Sequence, residues 1–576
     1  MDAHSPSLSA GAPAAREAGK RAARAGGVAL PLLFLAVFLV YPIARILSLG
    51  FGPAVIGGEA FLAAAVSDSR LGRVLLSSAG QALLSTALTL LAGLPAAYVF
   101  GRYDFRGKGL LRVLLGIPFV LPTVVASTAF VELVGARGLL TRAVAALGGP
   151  QGPGLSRTLT AVLMAHVFYN AGIVVRIVGS AWASLDPRMG EAARTLGASR
   201  ASAFMRITAR LLLPSVAASA LLVFAFCFSS FGVILILGGP RMATLETEIY
   251  RQAVNMFNLP AAALLSVVQL ALTVLVMFGY SRLQDRMGVT QRARPENAPK
   301  MRASTPARRA LVLLLGVGPA VGLGVPMLAL AAGSLLTSRG FSFAWWAALF
   351  QSTGHSLFWT SPILAAANSL LFSVEAMLIA LALGIPAAYA IARGQSRRSG
   401  RGTGAAVLDI VFLLPLGTSA VTLGFGFIVA FNAPPLDFQG SAVLIPIAHS
   451  LVALPLVIRS LLPALRGLNP RLREAAAALG ASPSRVWRDV DLPMLARSFA
   501  AAAAFGFTVS LGEFGATALL TRPGLITLPV LIYNSLTRPG ESSQGQALAL
   551  STILMVVCGL GLAVIERFRA RGREMF

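Results

Sequence analysis

Very little in this chain of 576 residues has the make-up for covalent chemistry. Its four histidines, His4, His166, His355 and His449, are scattered, and with the two cysteines they form no cluster of metal-ligand spacing. No G-x-x-x-x-G-K-[ST] phosphate loop is present. The nearest string, Gly107-Lys108-Gly109, lacks both the spacing and the metal-binding hydroxyl. No G-x-S-x-G elbow is followed by triad partners. The chain is therefore read as a non-enzyme that binds no cofactor of its own. What remains are carboxylates in apolar surroundings, Glu132, Glu375 and Glu513, each costing about 2.5–3.5 kcal/mol to insert alone into lipid. One reading pairs each with a residue on a neighbouring helix, with Arg176 and Arg459 as partners. The other places Glu375, Glu513 and Ser230 along a pathway that favours a cation. His166 and His449 read as interhelical hydrogen-bonding residues, and Cys227 and Cys558 as small buried hydrophobes.

The elements that must hold these side chains follow from composition. The chain is 56% hydrophobic and 12% charged. Its apolar residues fall in blocks of about 20, enough to cross a hydrocarbon core of about 30 Å. Such blocks lie at 28–49, 76–100, 112–134, 158–184, 211–238 and 260–281, then at 310–333, 364–391, 405–430, 443–465, 494–520 and 543–565. The expectation is an all-α polytopic membrane protein of about 12 transmembrane helices, with Gly and Pro interrupting 158–184 and 405–430. A net charge of +26 suggests nucleic acid only until its placement is considered. With the N-terminus in the cytosol, most Lys and Arg fall on the cytosolic side, which is the positive-inside bias. Both termini are then cytoplasmic, and the lipid bilayer rather than nucleic acid is the partner. The expected domains are a basic tail (1–27), a first membrane domain (28–281), a basic Pro-containing linker (282–309), a second membrane domain (310–566) and a basic tail (567–576).

The two domains repeat one another. Glu191-Ala192-Ala193-Arg194-Thr195-Leu196-Gly197-Ala198-Ser199 returns 283 residues later as Glu474-Ala475-Ala476-Ala477-Ala478-Leu479-Gly480-Ala481-Ser482. His166 and His449, Arg176 and Arg459, Phe231-Gly232 and Phe514-Gly515, and Tyr250 and Tyr533 keep the same offset. A period this long means two fused copies of one domain. Each copy of the repeated segment lies in a cytosolic loop between the fourth and fifth spans of its half. In the second, Asn469 is a helix cap, Pro470 suits the first turn, and Gly480 suits a left-handed exit. Asp186, Pro187 and Gly197 repeat the design. Each half thus presents a short, small-faced helix that a partner's groove can approach. An ordinary interfacial helix is the bland alternative, and two copies at matched positions weigh against it.

These residues resemble the signature of permease subunits of binding-protein-dependent ABC importers: Glu-Ala-Ala, three residues, Gly, nine residues, a β-branched aliphatic, one residue, Leu-Pro. The second half matches throughout with Glu474, Ala475, Ala476, Gly480, Val490 and Leu492-Pro493. The first keeps Glu191, Ala192, Ala193, Gly197 and Ile207, then has Ala209-Arg210 where Leu-Pro belongs, and Leu213-Pro214 four residues on. The resemblance implies two tandem homologous six-helix halves of the type I ABC importer (MetI-like) fold. It further implies a place in the bacterial plasma (inner) membrane, coupling helices docked on two copies of a cytosolic ABC ATPase, which holds the ATP-Mg, and an extracytoplasmic solute-binding protein. Fused permeases of this kind resemble the thiamine and ferric-iron branches. The segments Thr244–Tyr250 and Thr527–Tyr533, expected outside and in contact with the binding protein through Thr244, Tyr250, Thr527 and Tyr533, resemble the thiamine type more. Thiamine or its phosphates is the first expectation for the solute, and ferric iron the second. The rival from another class is a secondary transporter of two six-helix halves driven by an ion gradient, which leaves the two repeated loops unexplained.

Overall fold

The computed structural model describes residues 28–51, 69–136, 138–148, 154–239, 242–290, 301–337, 340–350, 360–395, 403–432, 436–438 and 440–573. The basic tail at 1–27, the linker residues 291–300 and the last three residues lie outside this set. In the first half the helices are α1 (Val28–Gly50), α2 (Ser69–Arg102), α3 (Lys108–Val120), α4 (Thr123–Val134), α5 (Leu139–Ala146), α6 (Leu159–Ser184), α7 (Pro187–Thr195), α8 (Arg200–Phe228), α9 (Gly232–Leu237), α10 (Leu245–Tyr250) and α11 (Leu259–Thr290). In the second they are α12 (Pro306–Gly333), α13 (Ala344–Ala348), α14 (Pro362–Gln395), α15 (Thr403–Leu413), α16 (Ala420–Ala430), α17 (Leu444–Gly467), α18 (Pro470–Ala478), α19 (Pro483–Leu511), α20 (Gly515–Leu520), α21 (Leu528–Thr537) and α22 (Glu541–Arg573). Among the described residues, 11 helices are long and apolar enough to cross a membrane, or 12 if the bent pair Val407–Gly417 and Ala420–Ala430 counts as one span.

The sequence period survives in three dimensions. The ends of α8 and α19, those of α9 and α20, and the starts of α10 and α21 all keep the offset of 283. A π turn sits at the matched position in each half, Phe204–Thr208 and Trp487–Asp491. Four blocks are not straight helices; the break in 405–430 is expected from its Gly and Pro, and the other three are not. Block 112–134 is broken, because Pro122 drives Leu121 into an extended conformation (φ −67°, ψ 138°) between α3 and α4. Block 405–430 bends by 91° between α15 and α16. Blocks 211–238 and 494–520 each break just before Phe-Gly, at Ser229–Phe231 and Gly512–Phe514. By contrast 158–184 is uninterrupted, since α6 runs unbroken from Leu159 to Ser184.

Each half lends its first helix to the other. Helix α1 packs on α11 of its own half and on α16 of the second, where Phe38 meets Phe427 and Phe431. Helix α12 packs on α4 of the first half and α22 of its own. One hydrophobic core accordingly draws residues from both halves, while a second joins Leu35 and Leu39 of α1 to the interior of the second half. After α11 the chain returns past the first half through a two-residue parallel bridge between β1 (Tyr103–Asp104) and β2 (Met301–Arg302). A short hairpin of β3 (Leu336–Thr337) and β4 (Gly340–Phe341) follows α12.

Candidate coupling and translocation sites

The repeated loop helices are built alike. Asp186 accepts a hydrogen bond from the Arg188 N–H and Asn469 from the Arg471 N–H, both at 3.0 Å, so each helix starts on a side-chain cap. Each ends on a glycine in the left-handed region, Gly197 at φ +88° and Gly480 at φ +82°. The next N–H reaches back to the helix, Ala198 to the Ala193 carbonyl and Ala481 to the Ala476 carbonyl, both at 3.0 Å. The missing Leu-Pro of the first copy does not alter this exit: Ser199 and Ser482 cap the next helical turn in the same way, and the same π turn follows. Pro493 lies inside α19, two residues after the second π turn.

Glu191, Ala192, Glu474 and Ala475 are exposed, and Ala193 and Ala476 are half-buried. The faces are not merely small. Leu196 and Leu479 are each 89% exposed, and Met189 and Leu472, one heptad earlier, are 47% and 46% exposed. Both pairs keep the 283-residue offset and form a matched apolar stripe on each helix. The signal was present in the repeated Leu-Gly-Ala-Ser, but a leucine beside a capping glycine ordinarily folds inward.

The carboxylates find partners other than the arginines expected. Glu513, buried, lies 3.1 Å from His449 Nε2 and accepts the Thr517 hydroxyl at 2.6 Å. It also accepts the Ala516 and Thr517 N–H groups at 2.8 and 3.1 Å, which caps α20. His449 Nδ1 meets the Ser510 hydroxyl at 2.8 Å. In the first half His166 bridges the hydroxyls of Ser85 and Ser230 at 2.8 and 2.9 Å. The histidines are therefore interhelical, as read, and Glu513 is tied into structure. Glu132 pairs with Arg142 at 2.5 Å, and Arg459 approaches Asp409 at 3.5 Å. Glu375 is half-buried on α14 beside exposed Leu371, Val374 and Leu378, and makes no hydrogen bond or ion pair among the described residues.

One buried carboxylate escaped the sequence reading. Glu246 accepts the Gln269 amide at 2.9 Å within its own half and the Ser419 hydroxyl of the second half at 2.7 Å. Its place in a segment expected outside the membrane domain hid it. Thr244 and Thr527 are buried as well and start α10 and α21, so neither is a surface contact. The N–H that follows each donates to a serine of the second span, Leu245 to Ser78 at 2.9 Å and Leu528 to Ser369 at 2.7 Å.

At the junction of the halves, Ser230 and Glu513 each precede a phenylalanine, and the two rings stack on one another. Phe231 and Phe514 lie 5.5 Å apart between centroids, with planes 21° apart. Tyr250 packs on Phe231 at 5.3 Å and Tyr533 on Phe514 at 5.5 Å, giving a row of four rings made of equivalent pairs. Such contacts contribute about 0.5–1.5 kcal/mol each beyond burial. Glycine after each phenylalanine permits close packing on α4 and α16, since a Cβ on Gly232 would lie 2.4 Å from Thr123 Oγ1 and one on Gly515 3.0 Å from Ala420 Cβ. Beside this row opens a cavity of about 770 Å³, lined by residues of both halves that include Glu132, Glu248, Tyr250, Arg251, Tyr533 and Thr537. It lies beyond the end of α6 remote from α7; at 1.5 Å per residue that helix of 26 residues separates the two by roughly 39 Å.

The sequence profile of binding-protein-dependent transport system inner membrane components matches residues 89–289 and again 380–571. The chain belongs to this family. The permease is 28% identical over 525 residues to the thiamine transport system permease protein ThiP of Brucella abortus, covering 90% of this chain and 92% of that one. It is 27% identical over 561 residues to the protein of that name from Haemophilus influenzae, with 95% and 96% covered. To a probable ABC transporter permease protein, y4fN, of Sinorhizobium fredii it is 27% identical over 513 residues, with 84% and 85% covered. The permease is thus a multi-pass membrane protein of two tandem MetI-like halves and the importer type, which decides against the ion-driven carrier.

Proposed function

We propose that this permease forms the entire transmembrane pore of a thiamine importer in one chain. Two copies of a cytosolic ATPase dock on α7 and α18, and one extracytoplasmic binding protein delivers the solute. Both termini lie in the cytosol, on the side of α7 and α18, and ATP-Mg is held by the ATPase. The observation that carries the coupling role is the matched pair of exposed leucines, Leu196 and Leu479, on helices otherwise small enough to enter a groove. A monomeric membrane protein gains nothing from two fully exposed leucines in polar loops; a partner that covers them does. Thiamine is favoured by the relatives, which align along most of both chains.

The cycle then uses the junction of the halves. Closure of the ATPase dimer draws α7 and α18 together, the halves rock about their interface, and the Phe231–Phe514 stack parts. Glu246–Ser419 is a polar bond across the halves that such a motion must keep or break. The test is ATPase activity of the permease reconstituted with a candidate ABC ATPase and solute-binding protein from the same organism. Stimulation by thiamine-loaded binding protein supports the reading. Stimulation by a ferric-iron-loaded one in its place overturns the solute, and failure to associate with any ATPase overturns the coupling role.

A further inference from the structure

We propose that the cavity beside the aromatic row is a binding vestibule in the permease itself for a flat ring that carries a positive charge. It rests on the importer reading and deepens it by assigning the membrane part a solute site of its own. At about 770 Å³ the cavity falls within the range of small-molecule sites, about 300–1,000 Å³. Its two aromatic residues, Tyr250 and Tyr533, come from equivalent positions of the two halves, so each half contributes one aromatic ring to the wall. Aromatic faces attract cations as well as rings. Two of the arginines nearby, Arg251 and Arg142, are already engaged. Glu248 takes the Arg251 guanidinium through two hydrogen bonds, at 2.8 and 2.5 Å, and Glu132 takes Arg142 through Oε1. Glu132 Oε2 accepts no hydrogen bond among the described residues and so offers an incoming cation a partner. Arg157 also lines the wall, so charge alone does not select the solute; the tyrosine pair does.

The arrangement also gives the ring a route onward. Tyr250 and Tyr533 flank the Phe231–Phe514 stack, so when that pair separates, a ring held by the tyrosines can replace the lost contact.

The experiment is equilibrium binding to the full chain in nanodiscs, without ATPase or binding protein. The probes are radiolabelled thiamine, choline (a cation with no ring), thiochrome (a flat neutral ring) and N-methylpyridinium. Wild type is expected to bind thiamine at least tenfold more tightly than choline or thiochrome. Tyr250→Leu with Tyr533→Leu is expected to weaken thiamine at least tenfold, while Tyr250→Phe with Tyr533→Phe retains it and reports that the fold is intact. Thiamine binding that is indifferent to the leucine pair overturns the vestibule and leaves the thiamine reading standing. Tyrosine-dependent binding of N-methylpyridinium without thiamine upholds the vestibule and overturns thiamine as the solute. No binding of either aromatic cation to wild type overturns the vestibule.

Discussion

The two loop helices have nearly the same backbone, yet different side chains anchor them. Below α18, Arg473 reaches Asp491 at 2.7 Å and lies over the Tyr389 ring at 5.8 Å. Partial burial opposes its charge, but Asp491 and Tyr389 more than offset this and hold its pKa above the ordinary arginine value. The first half has Gly190 and Thr208 at the matched positions, and no such bridge is available. There an aromatic chain stands in its place: Tyr98 against Trp182 at 5.1 Å, and Trp182 stacked on Phe204 at 6.3 Å. Where Trp182 stands the second half has Leu465, and where Phe204 stands it has Trp487, which packs on Tyr389. What the fold conserves is the cap, the left-handed exit and the π turn. The means of fastening that frame to the spans is free to differ, the first half by aromatic contacts and the second by aromatic contacts with an ion pair added.

The largest effect is expected where the halves are alike. Leu196→Asp combined with Leu479→Asp should lower binding-protein-stimulated ATPase activity at least tenfold, as loss of a central apolar anchor worth about 2 kcal/mol would. Membrane insertion should be unchanged, and retained stimulation would remove the docking role. Next, Gly197→Val and Gly480→Val should each cost about 1–2 kcal/mol, because a β-branched residue is forced left-handed. Nearly equal falls in thermal stability would confirm the common frame, while a several-fold difference would show that the exits are not equivalent. The anchors should then separate the halves. Asp491→Ala strands the Arg473 guanidinium and should cost about 1–2 kcal/mol with a loss of coupling. Thr208→Ala at the matched site should stay within about 0.5 kcal/mol. Salt should weaken coupling through the second half alone; equal sensitivity of an Asp491→Ala variant and wild type would refute the electrostatic anchor. In the first half Phe204→Leu is expected to cost about 0.5–1.5 kcal/mol of stacking on Trp182 and to leave salt dependence unchanged.

Much of the frame was legible because it rests on period and chain length. Spans long enough to cross a bilayer and one repeated segment are enough to place α6, α7 and α8 and their copies. The breaks were less visible, because Ser229–Phe231 and Gly512–Phe514 interrupt apolar sequence without a proline, and only packing against the other half shows why the helix stops there. Partners were hidden for a related reason. Glu513 pairs with His449 and Glu246 with Ser419 across long separations, which a linear reading weighs only by charge type. Arginine was the natural guess for a buried carboxylate; a histidine, hydroxyls and a helix N-terminus serve instead. The exposure of Leu196 and Leu479 depends on which way a helix end faces, and that is a property of the assembled fold.

The exchange of first helices has a further consequence for how the protein is made. Helix α1 enters the membrane early, but α16, against which it packs, is synthesised some 370 residues later. At about 5–20 residues per second that is a wait of roughly 20–75 s. During that time the aromatic edge of α1, with Phe34, Phe38 and Tyr41, has only lipid or a membrane chaperone to cover it. Assembly of the first half is therefore finished by the second, and a chain stopped at the linker leaves a helix without its seat.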